Sequence, residues 1–239
     1  MMEIKVMFPA DKPTADIMTL NCAVAMKSTR TQEPAHDLVE TNWRLQCQYK
    51  PEPDFCKKCD STNFCLPKLI GEAKRMKHWG VFEHFFATVS VSEISRALTH
   101  QLVRHRLFSY MQQSQRHVNP SKRKDWYVFP HSWDNTGKVV SVEVSSAIAE
   151  SDSLIRRSAD VYAKLISVGI PEEDARYVLP NACHTHIVVS GNARNWLHFF
   201  RLRLAPSAQW EIREMAQKIL AEFMKIAPII FEGAGELEV

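Results

Sequence analysis

The sequence predicts an α+β fold, on three observations. Apolar residues recur at helical spacing in separate stretches, among them Val144 to Ile166 and Ile212 to Phe223. A β-branched run, Thr185 to Ser190, has the character of a strand. Trp126 to Phe129 gives a second short strand before Pro130. Helices thus predominate, with a few strands interspersed.

The elements follow in chain order. Lys50 to Pro67, with Pro51, Pro53 and Pro67, reads as a loop or small insertion between helical segments. From Glu93 to Arg106, Ile94, Ala97, Leu98 and Leu102 make one apolar helix face. Arg96, His100 and Arg104, four apart, share the opposite face, which should meet an anion or water. His105 falls on the apolar side, where by itself it reads as a packed core histidine. Val144, Ile148, Ile155, Ala159, Tyr162 and Ile166 mark a long amphipathic helix, with Gly169 as its C-cap. Pro171 opens another helix whose first turn carries Glu172, Glu173 and Asp174, and Pro180 closes it. Asn192 sits at a cap position ahead of a helix over Ala193 to Leu204. The last helix, about Ala208 to Ile226, lines up Ile212, Met215, Ile219 and Phe223.

The chain of 239 residues is long enough to bury a core without staples, and it is read as a single domain over 1–239. A Cys-rich loop insertion interrupts it at about 47–67. With 45% hydrophobic and 24% charged residues it has the composition of a globular protein. No apolar run approaches a membrane span, and the first residues lack a secretory pattern, so a cytoplasmic protein with no membrane partner is expected. A net charge of +3 is too small for a dedicated polyanion binder. The charge is uneven, however: Arg96 to Lys124 holds seven Lys or Arg and no Asp or Glu. That segment is either a solvated basic face or a means of concentrating an anionic ligand. Cys47, Cys56, Cys59 and Cys65 cluster around a Cys-x-x-Cys, which suits a structural zinc; free thiols in a variable loop are the alternative.

The informative segment is Arg104-His105-Arg106, then seven residues, then Ser114-Gln115-Arg116. Several guanidiniums a short loop apart offer fixed donors for phosphate oxygens. Arg-His-Arg alone is a weak signal, and the spacing makes it specific. The string RHRLFSYMQQSQR resembles the RHR-x7-S signature of the flavin-dependent thymidylate synthases, the ThyX family. His78-Trp79-Gly80-Val81-Phe82-Glu83-His84, Arg176 to Pro180, Asn192-Ala-Arg194 through Arg203, and Ala208 to Ile212 resemble further blocks of that family, in its order. The N-terminal third and the Cys-rich loop lie outside the resemblance.

The resemblance implies a small, mostly antiparallel sheet flanked by helices, and a homotetramer whose sites are assembled from several subunits. It implies reductive methylation of dUMP to dTMP, with methylenetetrahydrofolate as one-carbon donor and NADPH-reduced FAD as hydride source. Gln101, Arg104, Gln112, Ser114, Gln115, Arg116, Arg176 and Arg203 would hold dUMP. Arg203 would also be the catalytic residue, binding the uracil ring and favouring its N3 anion. His78, Gly80, Arg104, His105, Arg106, Gln112, Asn192, Arg194 and His198 would hold FAD. Gly80 stands where the family usually has Ser or Thr, which removes a hydroxyl but leaves the backbone N–H. Gln112 stands where some members have Glu; it keeps the shape and loses the charge. Met111 and His117 also replace more usual residues.

Ser114 has no acid–base pair spaced to activate it, so phosphate binding is its role rather than nucleophilic attack. Two other readings remain at this stage. In a cysteine-dependent thymidylate synthase or pyrimidine hydroxymethylase, Cys183 would add to the uracil ring. In a nucleic-acid-binding module, the basic segment would bind polynucleotide in a salt-dependent way. The main reading includes no nucleic-acid partner.

Overall fold

The computed structural model describes residues 2–29, 31, 34–38, 66–119, 125–134 and 139–236. Cys47, Cys56, Cys59 and Cys65, with Lys122, Arg123 and Lys124, lie outside the described residues. The α+β class holds: helices accompany an antiparallel sheet, in which the described strands run in the order β1-β2-β4-β3. These are β1 (Glu3–Phe8), β2 (Phe86–Ser95), β3 (Ser109–Gln112) and β4 (His184–Asn192). No helix among the described residues is long and apolar enough to cross a membrane.

Packing divides the chain into two compact units. One comprises Met1–Glu3, Ser90–Arg106 and Tyr110–Val188; the other comprises Ile4–Val89, Leu107–Ser109 and Val189–Val239.

In the first unit, β2 runs straight into α3 (Arg96–Leu102). The joint is a capped corner, because the Ser95 hydroxyl accepts the Leu98 N–H at 3.0 Å. The helix expected from Glu93 to Arg106 is therefore shorter at both ends. Glu93 to Ser95 belong to the strand, and Arg104 and His105 lie beyond the helix, so the expected three-cation face loses Arg104. The long helix α4 (Val142–Ser167) forms as expected, with Gly169 at φ 89 just past its end. Its apolar stripe is only partly used: Tyr162 is buried, whereas Val144 stays 47% exposed. The short α5 (Glu172–Ala175) follows Pro171 and passes into a 3-10 turn, Arg176–Val178. Trp126 to Phe129 is not a strand. Tyr127 makes one isolated antiparallel bridge to Cys183, and these residues pack with Ile155, Ala159 and Leu179.

In the second unit, α1 (Lys12–Ser28) is capped by Asp11, whose carboxylate accepts from Thr14. Next come α2 (Leu66–Arg75) and a 3-10 turn, Trp79–His84. β4 runs into α6 (Ala193–Arg203) through a second capped corner, where Asn192 Oδ1 accepts the Asn195 N–H at 3.0 Å. α7 (Trp210–Ile226) starts two residues later than the sequence suggests, behind Gln209, whose side-chain oxygen accepts from Glu211 and Ile212. α8 (Pro228–Phe231) closes the described chain. The core is aromatic: Trp196 meets Phe199, Phe200 and Phe223, and Phe200 and Phe223 meet Phe231. Phe108 joins it at 4.5 Å from Trp196. It lies so close to Gly191 that a Cβ there would fall 2.3 Å from its ring.

Candidate active site

The first unit carries Gln101, Arg104, His105, Arg106, Gln112, Ser114, Gln115, Arg116 and Arg176. Gln101 occupies the last turn of α3, and the chain then tightens: the Arg104 N–H donates to the Gln101 carbonyl and the His105 N–H to that of Leu102. Arg104 and Arg106 are exposed and His105 is half-buried. Tyr110 fixes this turn, its hydroxyl lying 2.8 Å from the carbonyls of both Leu102 and His105. Only one proton serves the two acceptors, so it is shared between them.

Gln112 ends β3. Its amide nitrogen donates to Thr99 Oγ1 at 3.1 Å and Thr185 Oγ1 at 3.2 Å. Both hydroxyls pass their own proton to a backbone carbonyl, Thr99 to Arg96 and Thr185 to His186. The amide therefore suits this position as a donor, leaving its oxygen for a ligand.

The following loop carries the anion-binding candidates. Ser114 Oγ accepts the Arg116 N–H at 3.1 Å, a hydroxyl-stabilised turn in which no neighbouring base activates the serine. Gln115 Nε2 is buried with no hydrogen-bond partner among the described residues, a donor suited to an acceptor that a ligand brings. Arg116 and Arg176 converge on Glu173. Its carboxylate lies 2.8 Å from Arg116 Nη2, and its carbonyl accepts from Arg176 Nε at 2.9 Å. Arg96 stands nearby, half-buried; burial and the Arg176 charge lower its pKa, and the neighbouring Cys183 works against that shift. Cys183 is buried, and burial pushes its thiol up to about 11. At neutral pH it is a protonated core residue, not a nucleophile.

The second unit carries His78, Gly80, Asn192, Arg194, His198 and Arg203. His78 is exposed at the head of the 3-10 turn, and a Cβ added at Gly80 would meet only open space. Arg194 Nη1 lies 2.6 Å from Glu83 Oε1. His198 is half-buried one turn further along α6. Arg203 is the last residue of that helix, also half-buried. The donors assigned to the flavin, guanidiniums at 104, 106 and 194 with an amide and imidazoles, have the chemistry a pyrophosphate-bearing dinucleotide requires.

Sequence reasoning missed Tyr110, Glu83 and Glu173 as the groups that hold the arginines and their turn. Glu83 was visible inside the His78–His84 block, and Glu173 stands three residues before Arg176. Among the described residues no group of three or more His, Cys, Asp or Glu could hold a metal.

Residues 19–229 match the family model described as "Thymidylate synthase complementing protein". Over 182 residues the chain is 42% identical to the flavin-dependent thymidylate synthase of Saccharolobus solfataricus, covering 76% of this chain and 66% of that protein. With the enzyme of the same name from Geobacter sulfurreducens, identity is 46% over 70% of this chain and 68% of the relative. With that from Sulfolobus acidocaldarius it is 42% over 66% and 57%. The chain thus spans less than two thirds of the length of two of these three relatives. On the motif blocks, the α+β fold and these matches, the chain belongs to the flavin-dependent thymidylate synthase family.

Proposed function

We propose that this chain, acting as one domain over 1–239, is itself a flavin-dependent thymidylate synthase. It converts dUMP to dTMP, with methylenetetrahydrofolate giving the carbon and NADPH the reducing equivalents. The observation that carries the reading is the junction at Glu173, which brings Arg116 and Arg176 together beside the loop of Ser114 and Gln115. These four residues take the phosphate, two by charge and two by neutral donors. Gln101, Arg104 and Gln112 complete the nucleotide contacts.

FAD, when bound, supplies the hydride that completes the methyl group. Arg104, His105, Arg106, Asn192, Arg194 and His198 hold it, with His78, Gly80 and Gln112 beside it. Arg203 faces the uracil ring and stabilises negative charge at its carbonyl and N3, which enriches C5 without a covalent adduct. The protonated, buried Cys183 supports a route that needs no protein nucleophile. The sites are shared among the subunits of a cytoplasmic homotetramer, so the two sets of flavin contacts need not come from one chain. Elemental analysis of protein prepared without chelator decides between a structural zinc on Cys47, Cys56, Cys59 and Cys65 and plain thiols there.

Purified protein supplied with FAD should turn yellow with stoichiometric flavin and form dTMP from dUMP only when NADPH and methylenetetrahydrofolate are both present. Folded protein that takes up no flavin at saturating FAD overturns the reading.

A further inference from the structure

Glu93 stands near the end of β2 at φ 60, a backbone conformation that favours glycine. A larger residue persists there only where its surroundings hold it, which makes such a position a candidate for function. Its partner is His184 at the start of β4: Oε2 and Nδ1 lie 3.2 Å apart, with side chains 19% and 14% exposed. Both line a cavity of about 100 Å³. The wall formed by Gln113, Val118 and Asn119 belongs to the loop that carries Ser114, Gln115 and Arg116. Thr185, next to His184, accepts the hydrogen bond from Gln112 at the root of that loop.

We propose that Glu93 and His184 form a proton-sensitive support beneath the phosphate-binding loop, with His184 as a positioning residue that makes dUMP affinity fall as it loses its proton. This rests on the function proposed above. Histidine is the side chain whose charge changes between about pH 5 and 8. While His184 is protonated the pair is neutral overall. Once it is deprotonated, the Glu93 carboxylate keeps its charge under a loop that must receive a phosphate dianion. The titratable groups on the cavity wall are Glu93, His184 and His186. Arg96 reaches in from α3, donating to the Gln113 carbonyl at 3.5 Å. Arg116 and His117 on the loop, and Asp125 beside Trp126, are exposed and do not line the cavity.

The test measures dUMP affinity of the FAD-loaded protein from about pH 6 to about pH 8.5, for wild type, Glu93→Gln and His184→Asn, with FAD affinity in parallel. Dividing the wild-type dissociation constant by that of His184→Asn cancels titration of the dUMP phosphate itself. The ratio should rise about fivefold over this range, the scale of one charge acting through a partly buried medium. His184→Asn should bind more weakly than wild type at the acid end and equally at the alkaline end. Glu93→Gln, which lacks the carboxylate charge, should bind dUMP more tightly than wild type at the alkaline end. Glu93→Gly guards against misfolding: it relieves the backbone, should melt no lower than wild type, and should follow Glu93→Gln. A constant ratio, or FAD affinity shifting in step with dUMP affinity, overturns the inference. Wild type that binds FAD but no dUMP at any pH overturns the functional reading as well.

Discussion

Glu173 holds Arg116 by its carboxylate, Oε2 to Nη2 at 2.8 Å, on a surface where both side chains are about half exposed. An ion pair so placed contributes about 0.2–1 kcal/mol. A phosphate oxygen accepting from the same guanidinium would contribute more, since a hydrogen bond between charged groups is worth about 1.5–3 kcal/mol.

Arg116→Ala should therefore raise KM for dUMP by about tenfold to a hundredfold while FAD binding is kept. Glu173→Ala should change KM less than about fivefold, since the surface pair only pre-orients the guanidinium. Steady-state kinetics at saturating FAD separates the two. Equal effects of both substitutions would place the phosphate elsewhere.

Arg203→Ala should retain FAD and lose about a hundredfold or more in dTMP formation, the scale of removing one electrostatic stabiliser. Lysine should restore little of it, because an ammonium lacks the planar fork that spans a carbonyl and the adjacent nitrogen. Wild-type turnover and dUMP affinity in the alanine variant would dismiss the assignment.

Cys183 should resist alkylation in the native protein at neutral pH, since a thiol at about 11 is thiolate in only about one molecule in ten thousand at pH 7. Cys183→Ala should keep dTMP formation within about threefold while costing stability through a small cavity. Loss of several orders of magnitude with flavin still bound would restore the covalent-cysteine mechanism.

Lys74 gives a pH dependence of definite sign. Burial lowers its pKa from 10.5 to about 8, although its ammonium donates to the Glu232 carbonyl at 2.9 Å. Between about 8 and 10.5 the unfolded chain binds more protons than the native protein, so stability rises with pH across that window. Urea unfolding of wild type and Lys74→Met should show their difference moving in favour of wild type as pH rises from 8 to 10.5. A difference independent of pH would mean that Lys74 keeps its proton as it does in water.

Legibility in the sequence followed the range of the interactions. The corner at Asn192 and the helix after it could be read because a β-branched run, a cap residue and a helical period are all local. The span from Glu93 to Arg106 misled because Ile94, Leu98 and Leu102 satisfy a helical period, although Ile94 lies in β2 and Ser95 caps the helix that follows. The alternating Phe86–Ser95 strand went unnoticed for the same reason. At the candidate site, the RHR-x7-S spacing singled out Arg104, Arg106 and Arg116, and a separate block singled out Arg194. What each one touches depends on residues up to 111 positions apart, as for Glu83 and Arg194, and no local pattern encodes that. The Glu93–His184 pair is of the same kind.

The close approach of Phe108 to Gly191 ties two distant positions into one evolutionary unit. Every L-residue at 191 would drive its Cβ into the ring, so residue 191 cannot drift while Phe108 remains. Replacing Phe108 by a smaller side chain opens the space and frees 191 to vary, which makes the order of the two changes matter. Homologues that carry alanine or serine at 191 are therefore expected to carry something smaller than phenylalanine at 108, two residues after the Arg-His-Arg motif. Through that coupling, a glycine in β4 restricts the sequences available to the loop that follows the motif.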